Sequence, residues 1–137
     1  MSDQINNLVP LIRKHFDFLV TELGFQCART WNEYMSRHQG AEYQSERVTV
    51  LVEQADSPML DVRLADRRAD SRFSISLEEI VRKADPEAWA RRPQGYAWPR
   101  PVEQDEEQMR FLAECVRRYC GAWLNTDAAG MPGAPMT

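Results

Sequence analysis

The chain has 137 residues, 43% of them apolar and 28% charged, which is the size and balance of one ordinary globular domain. That composition excludes collagen-like, intrinsically disordered and membrane-spanning chains. Seventeen Lys and Arg against twenty-one Asp and Glu leave a formal net charge of −4, which argues against nucleic acid as a partner.

Met1 to Asn7 carry no basic start followed by an apolar run, so they do not read as a secretory signal. Nowhere does an apolar stretch approach the roughly 20 residues needed to cross a bilayer. A cytoplasmic protein away from the membrane is therefore expected. Leu8, Val9, Ile12, Phe16, Leu19, Val20 and Leu23 then recur at three- and four-residue steps and predict one amphipathic helix. Asn7 is the candidate cap, and Pro10 sits within the first turn, where a missing N–H does no harm. Gly24 should end the helix in a left-handed conformation.

The period now changes to two. Phe25, Cys27, Arg29 and Trp31 alternate with Gln26, Ala28 and Thr30, the pattern of a strand. Residues 32–40 read as a loop, followed by a short extended piece around Tyr43. Val48, Val50 and Val52 predict a second strand, and Leu60, Val62 and Leu64 a third, joined through Ala55-Asp56-Ser57-Pro58 as an antiparallel hairpin. Phe73 and Ile75 mark a further short strand. Ser76-Leu77-Glu78-Glu79 fits a capping box at the start of a helix, and Asp85-Pro86 restarts the chain as a second, short one. Pro93, Gly95, Pro99 and Pro101 exclude regular structure over 92–101. The last helix is expected from about Asp105, with Met109, Leu112, Val116, Tyr119, Cys120 and Trp123 on its apolar side. Residues 1–124 then form a single α+β domain, and 125–137 a disordered tail. Its architecture is an N-terminal helix, a three- to four-stranded antiparallel sheet, and C-terminal helices packed on one sheet face.

Residues able to carry catalysis are sparse. His15 lies on the first helix and His38 in the loop after the first strand, with no second His or Cys at metal-ligand spacing. Glu33, Tyr34 and His38 form the only acid–base grouping. Asp56 and Asp61 flank a turn whose Asp-Ser-Pro chemistry needs no metal. Cys27, Cys115 and Cys120, an odd number without close pairing, read as reduced and buried structural thiols. Fifteen of the basic residues are Arg and only Lys14 and Lys83 are Lys. Bidentate contacts to carboxylate or phosphate would explain that bias, and so, more simply, would codon usage in a GC-rich genome. Arg63, Arg67, Arg68 and Arg72 are interleaved with Asp61, Asp66 and Asp70, which is the charge pattern of a solvated hairpin end.

Aromatic and acidic residues are more suggestive. Trp31 and Tyr34 fall where a strand leaves the sheet, and Tyr96 and Trp98 in the Pro-rich segment. Trp and Tyr are enriched at interface hot spots because they bury large area with few rotatable bonds. Glu103, Asp105, Glu106 and Glu107 open the last helix, where acids suit the macrodipole and also offer a patch to a basic partner.

The run from Phe16 to Phe25, with its helix stop at Gly24, then a strand, the Tyr43-Gln-Ser element and the Val48-to-Val52 strand, resembles small bacterial α+β proteins that are similar to immunity proteins of polymorphic toxin systems. The resemblance covers roughly the first half of the chain and transfers no functional residue. It implies a protein-binding domain that blocks a toxin through acids and aromatics complementary to a basic active site. Such complementarity speeds encounter and fixes register. The expected function is thus non-enzymatic, an immunity or antitoxin-like protein without metal or cofactor that occludes a toxin or effector with a basic surface. Its contact residues would be Trp31, Tyr34, Tyr96, Trp98, Glu103, Asp105, Glu106 and Glu107. The alternatives are a homo-oligomer, such as a homodimer, pairing through a sheet face or edge, and an enzyme acting on a small substrate with Glu33, Tyr34 and His38.

Overall fold

The computed structural model describes residues 8–33, 38–54, 60–67, 74–93 and 102–124. The predicted Asn7 cap, the turn at 55–59, Phe73, most of the Pro-rich segment and the tail from 125 lie outside them, as does the side chain of Trp123.

The N-terminal stripe forms two helices, α1 (Val9–Phe16) and α2 (Phe18–Leu23), with a bend at Asp17. On a straight helix Phe18 would point about 200° away from Phe16. The bend lets both rings be buried and stacked, with centroids 6.3 Å apart. Asp17 anchors it from two sides: its Oδ1 accepts from Arg13 Nε at 2.8 Å and from the Tyr43 hydroxyl at 2.9 Å. Gly24 terminates α2 at φ 79°, a conformation any other residue would adopt under strain. Leu23, predicted to belong to the apolar stripe, is instead 40% exposed. At the other end the N-cap is Leu8, which has no capping side chain. Its amide donates instead to Gln39 Oε1 at 2.7 Å, across the core.

The sheet has five strands, β1 (Gln26–Glu33), β2 (His38–Gln44), β3 (Val48–Gln54), β4 (Leu60–Asp66) and the two-residue β5 (Ile75–Ser76), paired antiparallel in chain order. Every described residue of the expected loop at 32–40 is strand, because β1 runs on to Glu33 and β2 begins at His38. The sequence of β2 hides its nature. Of its core-facing residues, Gln39 is polar and Ala41 small, so Tyr43 alone cannot display the alternation that Val48, Val50 and Val52 make plain.

Aligned positions show which face is buried. Tyr43, Val50 and Leu64 form one cross-strand row, and Ala41, Val52 and Val62 the next. All six are fully or almost fully buried. Ile12, Phe16 and Leu19 from the bent helix, Leu77 and Val81 from α3 (Leu77–Ala84), and Met109, Leu112 and Val116 from α5 (Val102–Tyr119) close the core over this face. Each full burial of such a side chain is worth roughly 1.5–3 kcal/mol.

Local chemistry sets the C-terminal half as anticipated. Ser76 caps α3 in a complete capping box, accepting from the Glu79 amide at 3.2 Å while its own amide donates to Glu79 Oε1 at 3.4 Å. Asp85 caps α4 (Pro86–Ala90) through the Ala88 amide at 3.2 Å, and its second oxygen accepts from the Tyr119 hydroxyl at 3.1 Å. One carboxylate thus both starts a helix and ties it to α5. Asp85→Ala should cost about 2 kcal/mol, more than a cap alone, and Tyr119→Phe about 1 kcal/mol. Urea unfolding of the two variants and of the double variant measures both costs, and the double should show less than their sum because the contact is shared.

The final helix starts three residues before Asp105 and breaks at Cys120, continuing as the single turn α6 (Gly121–Leu124). Cys115 and Cys120 are buried in it and unpaired, and burial raises their thiols to about 11 and about 12.

Candidate protein-binding surface

Five antiparallel strands with helices on one side leave a second face, and the alternation of β3 and β4 decides what it carries. Thr49, Leu51, Glu53, Asp61, Arg63 and Ala65 take the opposite phase to the core and retain solvent exposure. Register extends these positions into two rows. One runs Arg29, Glu42, Leu51, Arg63 and Ser76, and the other Trp31, Gly40, Glu53 and Asp61.

Trp31 is the aromatic centre of this face. A Cβ built on Gly40 would lie 2.6 Å from Trp31 Cζ2, so the indole lies directly across the glycine. The Arg29 guanidinium stacks on that indole, 4.5 Å from its centroid, while Nε donates to Glu42 Oε1 at 2.7 Å. Most of the Arg29 side chain, 62%, is open to solvent. An arginine stacked on an aromatic and held by a carboxylate presents its remaining N–H groups in a fixed orientation. A β-bulge between Cys27 and Arg29 changes the register just before this cluster, bringing Arg29 opposite Glu42.

Further along the second row, Glu53 and Asp61 stand directly opposite each other. Like charges in that position are unfavourable. Arg63 approaches Asp61 to 3.7 Å, and Glu53 has no cationic partner among the described residues. Partial desolvation holds the Asp61 carboxyl above its ordinary value, with Arg63 pulling the other way. A cation arriving from outside would relieve this pair.

The acidic run on α5 does not join this surface. Helical geometry distributes it around the axis. Glu103 and Glu107, one turn apart, are exposed, but Asp105 turns into the core at 1% exposure and is withdrawn from any outer surface. Glu106 is drawn to α1, where Lys14 Nζ reaches Oε2 at 2.5 Å and His15 Nε2 at 3.0 Å. These contacts hold its carboxyl below the usual range, Lys14 contributing most. Because α5 packs against the core face, Trp31 and the acids of α5 lie on opposite sides of the sheet. They therefore do not share one face.

Tyr34, Tyr96 and Trp98 lie outside the described residues. Glu33 and His38 are cross-strand partners in β1 and β2, and the side chain of Glu33 also lies outside them. Among the described residues no three His, Cys, Asp or Glu side chains converge to hold a metal, and no helix is long and apolar enough to cross a membrane. Arg29, Glu42, Leu51 and Glu53 were not singled out from sequence. The period of β3 marks Leu51 and Glu53 as non-core, but only the pairing with β2 brings them beside Trp31.

The architecture is that of an α+β protein with a meandering five-stranded sheet covered by helices on one face. No protein-family model, curated protein or solved structure matches this chain.

Proposed function

We propose that this protein is a non-enzymatic binding protein of the immunity or antitoxin type, which occludes a basic surface of a toxin or effector with the open face of its sheet. The observation that carries this reading is the Trp31–Arg29–Glu42 cluster beside the opposed carboxylates Glu53 and Asp61. Trp and Arg are the residue types that most often dominate binding energy, and they do so where neighbouring contacts exclude water. Leu51 supplies an apolar neighbour in the adjacent row. An acidic pair beside that centre, of which only Asp61 has a neighbouring arginine, favours a cationic partner and disfavours a neutral one. The chain's net charge of −4 favours the same encounter.

The test begins with the tagged protein as bait in lysate of the source cells, in parallel with a Trp31→Ala bait. A single stoichiometric, basic partner whose toxicity is relieved by co-expression is expected on the first bait. Purified Trp31→Ala should bind that partner about 30-fold more weakly or worse, the scale of a 2 kcal/mol hot spot. Equal capture by both baits would refute the surface. Sedimentation at the mass of two chains, reverting to one in Trp31→Ala, would instead favour self-association through the same face.

A further inference from the structure

On the helical side of the molecule, away from the open sheet face, α4 and α5 diverge to leave a groove of about 380 Å³. That volume falls within the range of small-molecule sites. Its apolar surface comes from Ala88 and Pro93 on one wall and Phe111 and Tyr119 on the other. Phe111 is fixed from behind by Trp89, whose ring centroid is 5.8 Å away.

The polar lining gathers three arginines that have no carboxylate partner among the described residues. Elsewhere Arg13, Arg29, Arg63, Arg82 and Arg117 each pair with a carboxylate. Arg91, Arg110 and Arg118 line the groove, and none of them has a carboxylate within ion-pair distance among the described residues. Glu107 and Glu114 share the rim, which leaves three cations against two anions on a chain that is acidic overall. Arg110 and Arg118, eight residues apart on α5, are separated by about two turns, or 12 Å. They therefore flank the groove, with Arg91 facing them from the end of α4. Guanidinium groups that are not already paired can meet a carboxylate or phosphate in bidentate fashion.

The geometry points to a binding site for a small organic anion with an apolar or planar body. The body lies against Phe111 and Ala88, and the carboxylate or phosphate end is taken by Arg110 and Arg118, with Arg91 closing from α4. Cys115 forms part of the floor. Burial raises its thiol to about 11, so it is protonated at neutral pH. This site is independent of the protein-binding face: Trp31 is not part of it.

The probe is 1-naphthoate, titrated calorimetrically into the full chain at low salt, with 1-naphthylmethylamine as a cation of the same shape. Naphthoate should bind at one site and the amine should not. The double variant Arg110→Gln/Arg118→Gln should weaken naphthoate binding by about tenfold or more, as expected for the loss of charge-assisted hydrogen bonds. Glu114→Gln, which removes a competing carboxylate, should tighten binding, whereas Arg82→Gln, on α3 and outside the groove, should leave it unchanged. All these positions are exposed, so unfolding midpoints should stay close to the parent value. Inorganic phosphate competing with naphthoate would identify phosphate as an accepted end group, and failure to compete would narrow the site to carboxylates. Absence of naphthoate binding up to about 5 mM, a range that covers even weak sites, would overturn the proposal. Equal binding of the amine, or undiminished binding by the double arginine variant, would do the same.

Discussion

Gly40→Val should destabilise the protein by about 3 kcal/mol and Gly40→Ala by about 2, the cost of forcing extra atoms into a filled space. Against the total stability of an ordinary domain, about 5–15 kcal/mol, that is a large fraction. The cause is close approach rather than backbone conformation. An added Cβ would lie 2.5 Å from the Val52 carbonyl oxygen, 2.6 Å from Trp31 Cζ2 and 2.9 Å from Glu53 Cβ. Only one of these neighbours can move cheaply. Trp31→Ala in the Gly40→Ala background should therefore recover part of the loss and leave the clash with the β3 carbonyl. Guanidinium unfolding of the two singles and the double resolves this coupling. A Gly40→Ala variant as stable as the parent would mean that the indole does not lie across β2. Such a result would also undermine the proposed binding face, since the same contact orients Trp31.

Tyr43 should have the larger effect when truncated. It is fully buried in the central row of the sheet, and its hydroxyl donates to Asp17 at the bend between α1 and α2. Tyr43→Ala removes an aromatic ring from a closed core and should cost about 4 kcal/mol. Tyr43→Phe keeps the ring and should cost only about 1 kcal/mol, because Asp17 Oδ1 still accepts from Arg13. The gap between the two measures packing apart from hydrogen bonding. A pH dependence follows as well. Burial, reinforced by the bond to Asp17, raises the Tyr43 hydroxyl well above its ordinary value. The unfolded chain releases that proton near pH 10, whereas the folded chain holds it, so this contribution is complete below pH 10 and is lost as pH rises beyond it. Tyr43→Phe should show a shallower alkaline loss of stability than the parent, measured by urea midpoints from pH 8 to 11. Parallel curves would mean that the hydroxyl is solvated.

The candidate surface was only partly legible before the tertiary structure. Trp31 is marked by its residue type, and it lies half-buried on the sheet face opposite the core. Its neighbours were hidden because Glu42, Leu51 and Glu53 come near it only through the register of β2, the strand whose core side is Gln39, Ala41 and Tyr43. The acids at 103–107 were legible as a charge run but not as a surface. A run of consecutive residues on a helix faces every direction, and here one member is buried and another is held by Lys14 and His15.

What the sequence determined by itself is whatever depends on neighbours along the chain. The amphipathic period of residues 8–23, the stop at Gly24, the alternation of β3 and β4, the capping box at Ser76 and the Asp85-Pro86 restart all follow from side chains a few residues apart. Together they are sufficient for the α+β class and for helices on one sheet face. Tertiary structure decided the bend at Asp17, the full length of β2 and the division of the acidic run. Each of these depends on a partner distant in sequence. Tyr43 meets Asp17 across the core, Gly40 is required by Trp31 and Val52, and Glu106 is claimed by the first helix. Long-range contacts of this kind outweigh local preference because the burial and hydrogen bonding they complete exceed the few tenths of a kcal/mol that separate one local conformation from another.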